Sequence, residues 1–130
     1  HGTSRRQRQM CIRDSLSAEQ IADGARILIH DIRSALNCGP RERPDQPPCI
    51  VLMTPPLVTI TAQSLAWGFA GADTKSLALA SRYLQLADEL ELLAFDVQTV
   101  ATASSLDGIH YDSQAQSAIA SGLADLIAQT

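Results

Sequence analysis

Lysine is almost missing from this 130-residue sequence: Lys75 is the single example. Residues 1–15 carry Arg5, Arg6, Arg8 and Arg13 against Asp14, a net of +3, and residues 16–130 carry six basic and thirteen acidic side chains, a net of −7. An acidic body with one lysine argues against a nucleic-acid partner, which needs clustered positive charge to displace counterions. Cysteine is sparse too. Cys11, Cys38 and Cys49 are odd in number and none forms a Cys-x-x-Cys pair. Neither a disulfide framework nor a zinc site is expected, and the thiols read as free; Cys38 and Cys49 flank one loop and would bridge only in a secreted chain. No apolar run approaches the ~18 residues of a membrane span, and no apolar stretch of signal-peptide type opens the sequence. A glycine-rich phosphate loop is lacking, which removes the usual nucleotide enzymes. There is no internal repeat.

What is present fits one soluble globular domain or part of one: 45% of residues are hydrophobic and 18% charged. Residues 1–15 show no apolar periodicity. Within them, the run from Arg5 to Ser15 resembles the one-frame translation of a sequencing-library adapter, so residues 1–15 are expected to be a disordered, non-native tail. Residues 16–130 then carry the fold.

Ser17-Ala-Glu-Gln20 fits a capping box, and Ile21, Ala25, Leu28, Ile29, Ile32, Ala35 and Leu36 follow at helical spacing. This predicts an amphipathic helix of about five turns ending near Asn37–Gly39, with His30 on its solvent side. Residues 38–48 hold four of the six prolines and read as a loop. Cys49 to Thr54 is a short, continuously apolar run closed by Pro55-Pro56, the pattern of a buried parallel strand. Leu57 to Gly71 is irregular. Trp67 and Phe69 stand in it as candidates for a substrate lid or an oligomer contact, with a loop folded back over the core as the equal alternative.

Asp73 is the expected N-cap of a helix from Thr74 to about Leu90, whose apolar face is Leu77, Ala80, Tyr83, Leu84, Ala87 and Leu90. Leu92 to Phe95 is a second buried strand, and Val97 to Ala103 is expected to include a turn of helix. Ser113-Gln-Ala-Gln116 repeats the capping-box pattern ahead of a final helix with Ala115, Ala118, Ile119, Gly122, Leu123, Leu126 and Ile127 on its buried face. Helix, strand, helix, strand predicts an α/β fold with parallel strands joined by crossovers. Two strands buried on both faces imply sheet neighbours outside this sequence.

Between the second strand and the last helix lies Ser104-Ser105-Leu106-Asp107-Gly108-Ile109-His110-Tyr111-Asp112. Asp107 and His110 are three residues apart, with a glycine that permits a tight turn between them. A carboxylate on one imidazole nitrogen fixes the tautomer and frees the other nitrogen to take a proton from a nucleophile. The plain alternative is a helix entry with two solvated polar side chains. A metal site at Asp107, His110 and Asp112 lacks a second ligand cluster and is not expected.

Asp107-Gly-Ile-His110 with Tyr111, Asp112 and a capped helix, together with Val51-Leu-Met-Thr-Pro-Pro56 at a strand end, resembles the C-terminal half of an SGNH (GDSL-type) hydrolase. Ser76-Leu-Ala-Leu-Ala-Ser-Arg-Tyr83 and Phe95-Asp96 extend the likeness, which is strongest to the aryl- and carbohydrate-esterase or acyltransferase branch. The resemblance implies a three-layer α/β/α sandwich with a parallel sheet, flavodoxin-like and truncated at its N-terminus. It implies His110 as general base and Asp107 as its orienting acid, acting on small-molecule esters without cofactor or metal. The family's nucleophilic serine and oxyanion donors lie in upstream blocks that have no recognisable counterpart here. Asp14-Ser15-Leu16-Ser17 imitates the end of the nucleophile block, but SRRQRQMCIR precedes it where an apolar strand should be. Ser64, Ser104 and Ser105 lack a strand-to-helix elbow. The resemblance therefore implies a serine esterase whose nucleophile is outside this sequence; the alternative is a non-catalytic α/β binding module.

Overall fold

The computed structural model of the protein describes residues 16–35, 46 and 48–130. The basic tail, Cys11, Ser15, Cys38 and most of the proline-rich loop lie outside the described residues. Cys49 is exposed with a free thiol.

Helix α1 spans Ala18–Ser34 and begins as its sequence dictates. The Ser17 hydroxyl accepts from the Gln20 N–H at 3.1 Å, and the Gln20 side chain accepts from the Ser17 N–H at 2.8 Å, so two orphan donors of the first turn are satisfied reciprocally. Ile21, Ala22, Ala25 and Ile29 are its buried stripe, and His30 is exposed. The helix stops at an extended Ala35, a few residues short of the expected end.

Two three-residue strands follow, β1 at Val51–Met53 and β2 at Leu93–Phe95. They pair in parallel with Val51 opposite Leu93, Leu52 opposite Ala94 and Met53 opposite Phe95. Successive side chains of a strand point to opposite faces, and the packing follows that alternation. Ile50 and Leu52 join Ile21, Ile29, Leu79, Tyr83 and Leu86 on one face. Val51 and Met53 join Phe95, Ile119, Leu123 and Leu126 on the other. Helices thus cover the sheet on both sides, giving three layers. The strands are less enclosed than expected: all three residues of β1 are half-buried, and Ala94 in β2 is exposed. An apolar cleft of about 310 Å³ remains beside β1, lined by Leu28, Ile29 and Ile32 of α1 with Ile50, Leu52 and Tyr83.

Between the strands, helix α2 (Ala62–Ala66) occupies part of the stretch expected to be irregular. Its signal is a second capping box, Thr61 with Ser64, in which a serine replaces the usual longer N3 partner. Helix α3 spans Ala72–Glu89. Its cap is Gly71 in the left-handed region (φ 77°), not Asp73, which lies in the first turn. The apolar stripe is also rotated from the expected one. Ala72, Ser76, Leu79, Ala80, Tyr83, Leu86 and Ala87 are buried, whereas Leu77 is exposed. Ser76 falls within the buried stripe, and its hydroxyl is satisfied there by Val58 and Asp73. Between α1 and α3, Arg26 pairs with Glu89 at 2.8 Å and Arg82 with Glu19. Both are exposed pairs and add little to stability. Glu91, at φ 55°, ends the helix in the left-handed conformation, and the Leu92 N–H closes back on the Ala87 carbonyl at 2.8 Å.

After β2 a short 3-10 turn at Val97–Thr99 stands where a turn of helix was expected. Helix α4 spans Ser113–Ala128. Asp112, one residue ahead of the expected Ser113, is the cap: its Oδ1 accepts from the Ala115 N–H at 2.7 Å. None of the residues of α4 is fully buried, and Ile127 is exposed. The helix approaches β2 closely at Gly122, where a Cβ would come within 2.9 Å of the Phe95 ring. Among the described residues no helix is long and apolar enough to cross a membrane.

Candidate active site

Both strands point their carboxyl ends at the same rim, the edge where open α/β sheets place their ligands. Thr54 ties the two exits together. Its N–H donates to the Phe95 carbonyl at 3.0 Å, and its buried hydroxyl accepts from the Val97 N–H at 3.0 Å and reaches Asp96 Oδ1 at 3.3 Å. From this junction the chain after β1 runs through buried Pro55 and Pro56 to residues 57–61. The chain after β2 runs to the turn at 104–110.

That turn closes on itself. The Gly108 N–H donates to the Ser104 carbonyl at 2.7 Å, the Ser104 N–H to the His110 carbonyl at 2.7 Å, and the Leu106 N–H to the Ser104 hydroxyl at 3.2 Å. Gly108 has φ 70°, which a residue with a Cβ rarely adopts. The turn separates its side chains by function. Ile109 is driven into the core beneath α1 and α3, and Tyr111 into the core beneath α4. His110, between them, faces solvent.

Asp107 is the centre of the hydrogen bonding. Its Oδ1 accepts from the Ile109 N–H at 2.8 Å and the His110 N–H at 2.9 Å, and its Oδ2 lies 2.8 Å from His110 Nδ1. The Asp107 side chain is 17% exposed and that of His110 57%. An ionised Asp107 can only accept, so Nδ1 carries the proton and Nε2 presents its lone pair outward. Burial pushes the Asp107 carboxyl up, but the backbone donors of Ile109 and His110, with the His110 ring, outweigh it and hold the carboxyl below its ordinary value.

A depressed folded-state value has a definite pH signature. Asp107 gives its full stabilisation above the unfolded carboxyl value of roughly 3.9, and that stabilisation is lost as pH falls through the lower folded value. The turn is therefore expected to loosen below about pH 4. Trp67, the one tryptophan of the protein, lies edge-on to His110 with ring centroids 6.2 Å apart and planes at 79°. Its fluorescence should report the loosening, and Asp107→Asn should remove that acid limb. An unchanged acid curve in the variant would assign the transition to another group.

The two aromatic lid candidates have separated. Trp67 is 44% exposed at the His110 ring, while Phe69 is 8% exposed and packed in the core with Ile109 and Leu79. Of the two alternatives open for this stretch, Phe69 takes the core-covering one, and Trp67 stays at the surface. Its position follows from helix α2, whose end brings the Phe69 N–H to the Ser64 carbonyl at 3.0 Å. Ser64 and Ser76, both fully buried, were not legible as parts of this region. Asp112 is committed to capping α4. No group of three or more His, Cys, Asp or Glu side chains able to hold a metal ion occurs among the described residues.

No family model matches the sequence, and no curated protein matches it. Solved structures do match. A carbohydrate acetylesterase family member from Sinorhizobium meliloti is 31% identical with a TM-score of 0.76, over 87% of this chain and 52% of that one. A candidate arylesterase from Agrobacterium tumefaciens is 28% identical with a TM-score of 0.77, over 93% and 57%. An aryl esterase from M. smegmatis superposes at a TM-score of 0.74 and 22% identity, over 88% and 53%, a likeness of fold alone. The chain spans about half the length of the structures it matches. Across that half, the chain has the SGNH-type hydrolase fold of these esterase structures.

Proposed function

We propose that residues 16–130 are the C-terminal half of a serine esterase domain and supply the general base and orienting acid for cleavage of small acyl esters. The observation that carries this reading is the 2.8 Å contact of Asp107 Oδ2 with Nδ1 of an exposed His110, at the carboxyl rim of a parallel sheet. The likeness to a carbohydrate acetylesterase family member supports it.

In this mechanism His110 Nε2 accepts the proton of a serine hydroxyl as its oxygen attacks the ester carbonyl. Asp107 stabilises the imidazolium, which then gives the proton to the departing alkoxide, leaving an acyl-serine. Water repeats the sequence, releasing the carboxylic acid and returning the serine. The nucleophile and the oxyanion donors belong to residues upstream of this half. Ser17, Ser64 and Ser76 are engaged in caps and backbone contacts and do not serve. Trp67 borders the leaving group or acyl chain as one wall of the substrate site.

The test is turnover of a short-chain aryl acetate. Residues 1–130 alone should be inactive, and the same chain completed by its natural upstream sequence should hydrolyse the ester. Turnover by the isolated chain would overturn the split of the machinery. A completed, folded protein without activity would favour a binding module.

A further inference from the structure

We propose that Ser76 of α3 and Ser64 of α2 are positioning residues for the Asp107–His110 pair, acting through the backbone of residues 58–61. The proposal rests on the reading of that pair as base and orienting acid.

A serine hydroxyl buried in an apolar helix stripe is unfavourable unless it is hydrogen-bonded. Ser76 is 0% exposed, where alanine would fill the stripe as well. Its hydroxyl accepts from the Val58 N–H at 2.9 Å and donates to the Asp73 carbonyl at 2.9 Å. Ser64, also 0% exposed, accepts from the Thr61 N–H at 2.8 Å and reaches the Thr61 carbonyl at 3.0 Å. Two buried hydroxyls on different helices therefore grip the same four-residue segment, one at each end.

Thr59, between the two grips, carries the connection outward. Its N–H donates to the Gly108 carbonyl at 2.8 Å, and its own carbonyl stands where a Gly108 Cβ would be, 1.8 Å from that position. Gly108 is the residue between Asp107 and the backbone donors of Ile109 and His110. The Gly108–Ser104 and Ser104–His110 backbone bonds lie within residues 104–110, whereas the Thr59–Gly108 bond crosses to another element. The path from α3 is continuous: Ser76 hydroxyl, Val58 N–H, Thr59 N–H, Gly108 carbonyl, Asp107 carboxylate, His110 ring. Loss of either grip frees Thr59, and the turn then relaxes its hold on the His110 tautomer.

The readout is that tautomer, measured by the ring ¹⁵N shifts of His110 at mildly alkaline pH, in the full chain and below each variant's melting temperature. Ser76→Ala and Ser64→Ala should each move the Nδ1–H to Nε2–H ratio about threefold or more toward that of free imidazole, the effect of weakening one hydrogen bond. Leu86→Ala, a core truncation outside the path, should lower the melting temperature and leave the ratio unchanged. In the unmodified chain, the Val58, Thr59 and His110 amides should exchange with solvent as one opening unit. Tautomer ratios unchanged in folded serine variants would overturn the proposal, as would an equal shift in Leu86→Ala. Should neither serine variant fold, independent exchange of the three amides would overturn it. None of these measurements involves turnover, so their failure leaves the catalytic reading standing. Loss of that reading would show instead in the activity of His110→Ala.

Discussion

Replacing His110 with alanine in the chain completed by its upstream sequence should, on the proposed mechanism, lower the rate of ester hydrolysis by about 10²–10⁴-fold, the usual contribution of a positioned general base. In barrier terms this is about 3–5 kcal/mol. The loss should fall on kcat, because in that mechanism the ring acts on a proton in flight and holds no part of the ground-state ester. Stability should change little, since the ring is more than half exposed and the turn is held by Asp107's backbone donors. Asp107→Asn should be nearly as damaging to rate and more damaging to the turn. The amide lacks the charge that stabilises imidazolium, and it is a weaker acceptor for two backbone N–H groups. Steady-state kinetics on a short aryl acetate, with melting temperatures for each variant, check both. Hydrolysis within a few-fold of the parent in folded His110→Ala would remove His110 from the mechanism.

Gly108→Ala should be strongly disruptive for the addition of a single methyl. Two penalties coincide. A φ of 70° costs an L-residue roughly 1–2 kcal/mol. The new Cβ would also stand 1.8 Å from the Thr59 carbonyl oxygen and 2.7 Å from its carbon, so backbone rather than a flexible side chain must move. The Thr59–Gly108 hydrogen bond is lost with that movement. A displacement near 1 Å at a reacting group is enough for about 10²-fold in rate. The completed enzyme should therefore lose two orders of magnitude in kcat, and the isolated chain should melt lower than the parent. Near-normal kcat in Gly108→Ala would mean that the turn tolerates a different path than the one described.

What was legible in the sequence is what short-range chemistry determines. The α1 cap follows from Ser17 and Gln20, three residues apart, and the turn at 107–110 from an acid, a glycine and an imidazole within four residues. The two strands were visible because continuous apolar runs between prolines and polar residues have few other uses. Misplacements arose where partners come from far along the chain. Leu77 and Leu79 are equally apolar, and only the buried face that also holds Ser76 against Val58 shows Leu79 to be the core residue. The sequence left Phe69 open between a lid and a cover for the core, because helix α2, which carries it inward, is five residues long and begins with an unusual threonine–serine box. Asp112 and Ser113 are both good caps, and the deep placement of Tyr111 selects the first.

The Thr59–Gly108 bond joins residues about fifty apart, with α2, α3 and β2 enclosed between them. A contact that closes so long a loop gains nothing until the intervening elements have docked, because the closure entropy must be met first. The Asp107–His110 turn can nucleate locally, yet its final geometry waits for α3 and β2 to be in place. The Asp107–His110 pair is thus expected to reach its final geometry late, in the same step that completes this half of the sheet.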